Sequence, residues 1–443
     1  MAGPDDVFER RRRRFMDTIG DGAAAIFPAA PESIRSNDVE YRYRQHSDVL
    51  YLTGFREPGS VCLLLPGHPK DEFVLFVRPR QLEREIWTGR RAGVDGAIER
   101  YGASIAYPIE ELDAKMPEYL AERDRVYFAI EQDESFTRRV MGWVRGLQTT
   151  RPRTGKGPTA LLDARQVVHE MRLHKDPQEI ESLRRAIAIS AEAHISAMRT
   201  ARPGMSEYEI EALIEYVFRR RGAGGPAYPS IVAAGANATV LHYTTNDMVM
   251  RAGDVLLVDA GAEYEGYCAD VTRSFPIGQR FDARQRALYE VVLGAQLAAI
   301  EAIQPGARVE DPHQRALEVL CQGLVELKLV AGRVPEVLEK ELYKPFFMHR
   351  TSHWLGLDVH DVGLYKVNGE PRLLEPGMVL TVEPGLYVGD HVENVDSAWQ
   401  GIGVRIEDDV LVTTDGHDVL SAAIPKAVDV IESLRDEAAA GSA

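Results

Sequence analysis

Four acidic residues and a histidine-rich segment carry the chemistry in this sequence. Asp259 and Asp270 lie on either arm of a hairpin pattern, Val255 to Phe275 (VLLVDAGAEYEGYCADVTRSF). Val255 to Val258 is a short apolar run of strand formers. Glu263 to Gly266 is polar and ends in glycine, as a turn should, and Tyr267 to Phe275 returns with apolar, β-branched and aromatic residues. A turn centred between Tyr264 and Glu265 sets Asp259 opposite Asp270, with Cβ atoms about 5 Å apart. Two like charges among apolar neighbours weaken a sheet, and a bound cation is the simplest reason to keep them.

The hairpin has an echo. Gly253 to Asp259 (GDVLLVD) matches Gly377 to Glu383 (GMVLTVE) in its glycine, its apolar pattern and its closing carboxylate. A second carboxylate follows each, Asp270 after 11 residues and Glu407 after 24. Two related α/β halves would gather four carboxylates about one pseudo-two-fold axis. Between the halves, His349 to Asp361 (HRTSHWLGLDVHD) places three histidines within twelve residues.

Four carboxylates and one of these histidines form an oxygen-rich, thiolate-free donor set. Such a set prefers hard or borderline ions, Mn²⁺, Mg²⁺, Co²⁺ or Fe²⁺. Four negative charges balance two divalent ions and not one. Two ions close together can share a water, lower its pKa and hold the hydroxide as a nucleophile. Arg405, two residues before Glu407, shares its face on a strand and is expected to orient that carboxylate.

The elements that must position these groups are legible in part. Residues 1–172 read as an α/β unit. Its strands are Val61 to Leu65, Phe73 to Val77 and Val126 to Ile130, and its helices are Val7 to Ile19 and Ile109 to Arg123. A boundary falls near Arg172 to Pro177, so residues 173–443 form the second domain. Asp176 before Pro177 opens a helix over Gln178 to Arg199, and Ser206 with Glu209 opens another to about Arg221. Gly222 to Pro229 is a loop and Ser230 to Ala234 a strand. Asp282 caps a helix to about Ile303, and Pro312 to Leu329 is helical.

Composition narrows the partners. Formal charge is −16, which disfavours nucleic acid and anionic membranes. The arginine run Arg10 to Arg14 therefore reads as a solvated helix face. No apolar run approaches a membrane span, and Asp5, Asp6 and Glu9 argue against a targeting peptide. Cys62, Cys268 and Cys321 offer neither a disulfide framework nor a metal pair. They point to the reducing cytoplasm, with Cys268 a small buried residue. Trp87 is flanked by polar residues and is expected to be exposed.

The order Asp259, Asp270, His353, Glu383, Glu407, with SHWLGLDVHDVG, VEPGLYV and VRIEDDVLVT, resembles the proline-specific metallopeptidases of the pita-bread fold. The resemblance covers essentially the whole chain. Tyr41 to Gln45 and Tyr51 to Phe55 are similar to the Xaa-Pro aminopeptidase (aminopeptidase P) branch. It implies a creatinase-like N-terminal α/β domain and a C-terminal pita-bread domain with pseudo-two-fold halves. It implies two metal ions, manganese as the usual one: Asp270 and Glu407 bridge both, Asp259 holds one, and His353 with Glu383 hold the other. It gives His242 and His360 contacts to the scissile carbonyl, His349 a place near the proline pocket, and Glu383 the role of proton shuttle. Trp87 resembles a tryptophan that a neighbouring subunit lends to the active site, implying a homo-oligomer, a tetramer or a dimer. Arg350 departs from the family, where glycine commonly follows the histidine.

The implied activity is release of the first residue from peptides with proline in second position. Such a bond is a tertiary amide without an N–H, so it escapes peptidases that bind their substrate as an extended strand. Prolidase action on Xaa-Pro dipeptides, with promiscuous organophosphate hydrolysis, is the alternative, and a catalytically inactive pita-bread binding protein is the non-enzymatic one. Methionine aminopeptidase is disfavoured, because it would not need the N-terminal 172 residues.

Overall fold

Asp6 opens the first helix: its carboxylate accepts the Phe8 N–H, and Val7–Ile19 follows. The computed structural model describes residues 6–130 and 133–440, so Asp5 lies outside the described residues. The chain divides into two compact units, Met1–Arg172 and Leu173–Ala443.

The first unit is built on a six-stranded mixed sheet. Its strands run in the order Ile105–Pro108, Phe73–Val77, Val61–Leu64, Ala23–Pro28, Arg125–Phe128 and Ala160–Asp163. Most of these strands carry no polar alternation, because both faces are covered; Phe73–Val77 is buried at all five positions. Leu63, Val74, Phe76, Met116, Val126 and Val140 share one core. Arg10, Arg13 and Arg14 form the expected solvated face, but two arginines of the run depart from it. Arg11 and Arg12 are buried, at 6% and 4% exposure. Their guanidinium groups sit 4.2 Å from the Tyr51 ring and 4.0 Å from the Phe73 ring, and donate to the Tyr51 and Leu52 carbonyls. A long arginine can be buried where aromatic faces and free carbonyls satisfy it.

In the second unit the two capping boxes form. Asp176 with Glu179 starts Pro177–Thr200, and Ser206 with Glu209 starts Glu207–Arg220. Ala283–Glu301 and Asp311–Glu326 form a packed pair, and Val428–Ala440 closes the described chain. Each echo strand belongs to a three-stranded antiparallel sheet, central in the first and at the edge in the second. Val255–Asp259 lies between Ile231–Ala234 and Thr272–Pro276, and Asp408–Val412 lies between Val379–Val382 and His417–Val419. The echo glycines share one conformation, φ 91° at Gly253 and 92° at Gly377, a left-handed turn that glycine makes without strain. The result is a mixed α/β chain with an N-terminal α/β domain and a C-terminal pita-bread domain with pseudo-two-fold halves.

The hairpin register departs from the expected one. Tyr264 pairs with Tyr267 and Asp259 with Thr272, so Asp270 is two places from the position opposite Asp259. The turn is Glu265–Gly266, both at positive φ, 53° and 93°. That two-residue geometry matches the twist of a hairpin better than a turn centred one residue earlier. Between the two paired stretches the arms touch so closely that a Cβ on Gly261 would lie 1.7 Å from the Ala269 carbonyl oxygen. The second half does place its acids face to face. Val382 pairs with Asp408 and Gly385 with Arg405, and that shared register sets Glu383 opposite Glu407.

Candidate metal centre

A cavity of about 590 Å³ opens in the second unit. Asp259, Asp270, Glu383, Glu407, His242, His349, His353, His360 and Arg405 all line it. Trp87 belongs to the other unit, on the helix Leu82–Thr88, where it is 88% exposed.

Each acidic side chain reaches the cavity from a strand end. Asp259 is the last residue of its strand, and Asp270 lies in the break before Thr272–Pro276. Glu383 and Glu407 flank the positions where one ladder stops and the next begins, so their own N–H groups bond elsewhere, to Thr351 O and Thr272 O. The His353 segment runs beside Thr381: the Thr381 N–H donates to His353 O, and the His353 N–H donates to the Thr381 hydroxyl. A salt bridge pins the far end of that segment. Lys175 Nζ is 3.0 Å from Asp361 Oδ2, with both side chains 1% exposed.

The oxygen and nitrogen atoms converge. Asp270, His353 and Glu407 offer ligand atoms all within 4.8 Å of one another. His353 Nε2 is 3.3 Å from Asp270 Oδ2 and 3.6 Å from Glu383 Oε1. Its Nδ1 meets the Trp354 carbonyl at 3.0 Å. That bond assigns the proton to Nδ1 and leaves Nε2 as the ligand atom.

The electrostatics describe a site short of positive charge. Burial pushes the Glu383 carboxyl up to about 7, with Asp270 and Asp259 adding and His353 and Arg405 opposing. Burial and the surrounding acids also raise Glu407 and Asp259. Burial alone would lower His353, but its hydrogen bond to Asp270 and the charges of Asp270 and Glu383 raise it to about 9. Acids held against their own ionisation, an imidazole nitrogen aimed among them and no thiolate fit divalent cations of the hard or borderline kind. Asp259, Asp270, His353, Glu383 and Glu407 are the residues that would hold them.

Arg405 differs from its expected role. It ends the strand Ile402–Arg405, and the ladder breaks before Glu407. Its Nη2 donates to Asp259 Oδ2 at 2.5 Å, its Nη1 to the Tyr387 hydroxyl at 3.1 Å and its Nε to Thr272 Oγ1 at 3.2 Å. It reaches Glu407 through Thr272, whose hydroxyl donates to Glu407 Oε2 at 2.7 Å. Beneath Glu407, Arg273 donates to its carbonyl and pairs with buried Asp408.

Sequence reasoning missed two hydroxyls. Tyr228 donates to both Asp259 Oδ1 and Asp270 Oδ1, at 2.6 Å each. It stands in the glycine- and proline-rich loop, where its position beside the cavity left no periodic signal. Tyr387 lies 2.8 Å from His349 Nε2. Since His349 Nδ1 meets the Arg350 carbonyl at 2.8 Å, a proton on Nδ1 makes Nε2 the acceptor of the Tyr387 proton. Burial first, and then Arg405, lowers His349 to about 3, so this ring stays neutral. Burial, and then the charge of His353, lowers His360. Cys268 is buried, with Sγ 3.6 Å from the Leu357 carbonyl, and none of the three cysteines is in a disulfide among the described residues.

Residues 181–414 match the model of metallopeptidase family M24, and residues 8–127 match the aminopeptidase P N-terminal domain. The chain is 43% identical to the Xaa-Pro aminopeptidase of Escherichia coli (strain K12), over 96% of this chain and 97% of that protein. The structure of Pseudomonas aeruginosa aminopeptidase PepP superposes with a TM-score of 0.96 at 48% identity, covering 99% of both chains. Zinc-substituted E. coli aminopeptidase P in complex with product superposes with a TM-score of 0.94 at 43% identity, covering 98% of both. The chain belongs to metallopeptidase family M24 and carries the N-terminal domain of aminopeptidase P.

Proposed function

We propose that the protein is an aminopeptidase that hydrolyses the N-terminal Xaa-Pro bond of peptides with a pair of divalent ions, manganese in the cell. The observation that carries this reading is one cavity lined by four carboxylates and His353, in which Asp270, His353 and Glu407 offer ligand atoms within 4.8 Å of one another, with His242, His349 and His360 also lining it. Ions held there supply a water of lowered pKa and polarise the scissile carbonyl.

The chain's own groups do the rest. A carboxylate cluster attracts the substrate's free α-ammonium, which favours cleavage beside the N-terminus. His242 and His360 are exposed on the cavity wall, where they can donate to the scissile carbonyl oxygen as it gains charge. Glu383, on the cavity wall with Oε1 3.6 Å from His353 Nε2, takes a proton from the attacking water and returns it to the departing proline nitrogen. His349, neutral and held by Tyr387, gives the proline ring an uncharged wall.

The remaining features belong to the same reading. The exposed Trp87, beside exposed Leu82 and Ile86, suits burial against a second copy of the chain, giving a homo-oligomer, a tetramer or a dimer. The N-terminal domain then serves assembly and substrate access. The net charge of −16 and three cysteines that form no disulfide among the described residues support a cytoplasmic enzyme without nucleic-acid or membrane partners. Among the described residues, no helix is long and apolar enough to cross a membrane.

The test is a peptide panel assayed after chelation and after Mn²⁺ is restored. Cleavage of Xaa-Pro-Yaa peptides, lost with chelator and regained with Mn²⁺, is expected. Cleavage of Xaa-Pro dipeptides alone would make the enzyme a prolidase. Full activity after exhaustive metal removal would refute the metal mechanism.

A further inference from the structure

We infer that Arg350 is a specificity residue that binds a carboxylate on the C-terminal side of the substrate's proline. The inference rests on the Xaa-Pro aminopeptidase reading and adds to it the charge of the preferred substrate.

Two arginines line the cavity, and their side chains are in opposite situations. Arg405 is buried and engaged by Asp259, Tyr387 and Thr272. Arg350 is exposed, and among the described residues no acceptor engages its guanidinium. Its backbone is held in place all the same. The Arg350 carbonyl meets His349 Nδ1 at 2.8 Å, and that ring is fixed at its other nitrogen by Tyr387. The same His349 Nδ1 is 3.8 Å from Glu383 Oε2, so Arg350 stands one residue from the acidic centre. His313, which feels the charge of Arg350, is lowered to about 4, chiefly by burial, and is neutral.

A short peptide is a dipole. Its α-ammonium is drawn to the carboxylates of the centre, and its remaining negative charge needs a cation elsewhere on the wall. Three extended residues span about 10 Å, so the carboxylate of a tripeptide falls well beyond the scissile bond, toward the rim. Guanidinium is the side chain best shaped for it, because its two parallel N–H groups match a carboxylate. The carboxylate has two possible sources: the C-terminus of a tripeptide, or an acidic side chain in the third position of a longer peptide.

Steady-state kinetics of the full-length, Mn²⁺-loaded enzyme separate them. One pair is Ala-Pro-Leu as the free acid and as its amide; the other is Ala-Pro-Glu-amide and Ala-Pro-Gln-amide. The expected result is a KM lower by about three- to fivefold for the carboxylate member of at least one pair, the size of one solvent-accessible ion pair. The difference should shrink with added salt, fall to about one in Arg350→Gln and persist in part in Arg350→Lys. The first pair reports the terminal carboxylate and the second the side chain. Equal KM values within both pairs, or the same preference in Arg350→Gln, would overturn the inference while leaving the Xaa-Pro reading in place. Failure to cleave any of the four peptides would overturn both.

Discussion

Arg405 and Asp259 are joined across 2.5 Å, with their side chains only 4% and 12% exposed. Arg405 is therefore a positioning residue that acts through Asp259, and through Thr272 on Glu407. Removing one partner of a buried pair leaves the other charge uncompensated, at about 3–5 kcal/mol. Arg405→Ala is expected to destabilise the metal-free protein by an amount of that order. It should also lower metal affinity or kcat by about 10- to 100-fold, the usual cost of losing a group that orients a ligand. Thermal melts in chelator and activity titrated with Mn²⁺ check both. Melting and activity like those of the parent would remove Arg405 from this role.

Tyr228 offers one proton to two acids, 2.6 Å from each. In the metal-free protein this hydroxyl separates Asp259 from Asp270 and offsets part of their repulsion. Tyr228→Phe should cost the metal-free form about 1–3 kcal/mol, the range for leaving buried acceptors unpaired. Cations on the same carboxylates offset the repulsion in its place, so the deficit should be smaller in saturating Mn²⁺. Equal deficits with and without the ion would show that the hydroxyl matters for packing alone.

The parts of this site that were legible in the sequence are those with local grammar. Asp176, Ser206 and Asp282 each announce a helix by a cap, and each helix begins at the next residue. The echo of Gly253 in Gly377 was legible because one left-handed turn followed by a strand requires the same residues twice. The register of the hairpin was not, because moving the turn by one residue leaves the pattern almost unchanged and shifts every pairing by two. The strand Ala23–Pro28 was hidden by its three alanines, which are poor strand formers yet fit the centre of a sheet covered on both faces. The direction of Arg405 was hidden for a different reason. Proximity in sequence pointed to Glu407, whereas the break in the ladder turned its guanidinium to a residue 146 places away.

Metal binding should be a proton-releasing event with a defined pH dependence. In the metal-free site His353 is raised to about 9 and Glu383 to about 7. Both must lose a proton before they can hold an ion. Mn²⁺ affinity should therefore rise with pH, and fall by about tenfold for each unit of acidification below 7 from Glu383 alone. Isothermal titration at pH 7.5 in buffers of different ionisation enthalpy should reveal released protons, and His353→Gln should release fewer. An affinity flat between pH 6 and 8 would contradict this account.

His194 predicts a separate pH effect, on stability rather than on metal binding. It is wholly buried in the helix Pro177–Thr200, within hydrogen-bond reach of the Ala260 carbonyl, 2.9 Å from Nε2, while among the described residues its Nδ1 meets no hydrogen-bond partner. Burial lowers its pKa from 6.5 to about 4. The unfolded chain thus takes up this proton near 6.5, whereas the folded chain resists it down to about 4. Between those values the unfolded state binds more protons, so stability rises with pH. The contribution is fully present above 6.5 and is lost as the pH falls toward 4, about 3 kcal/mol over the whole window. Urea melts of the chelated protein at pH 7.5 and 5 measure it. His194→Gln keeps an N–H donor and cannot titrate, so its stability should fall less between the two pH values than that of the parent, whatever its stability at pH 7.5. An identical fall in the two proteins would show that His194 does not set the slope.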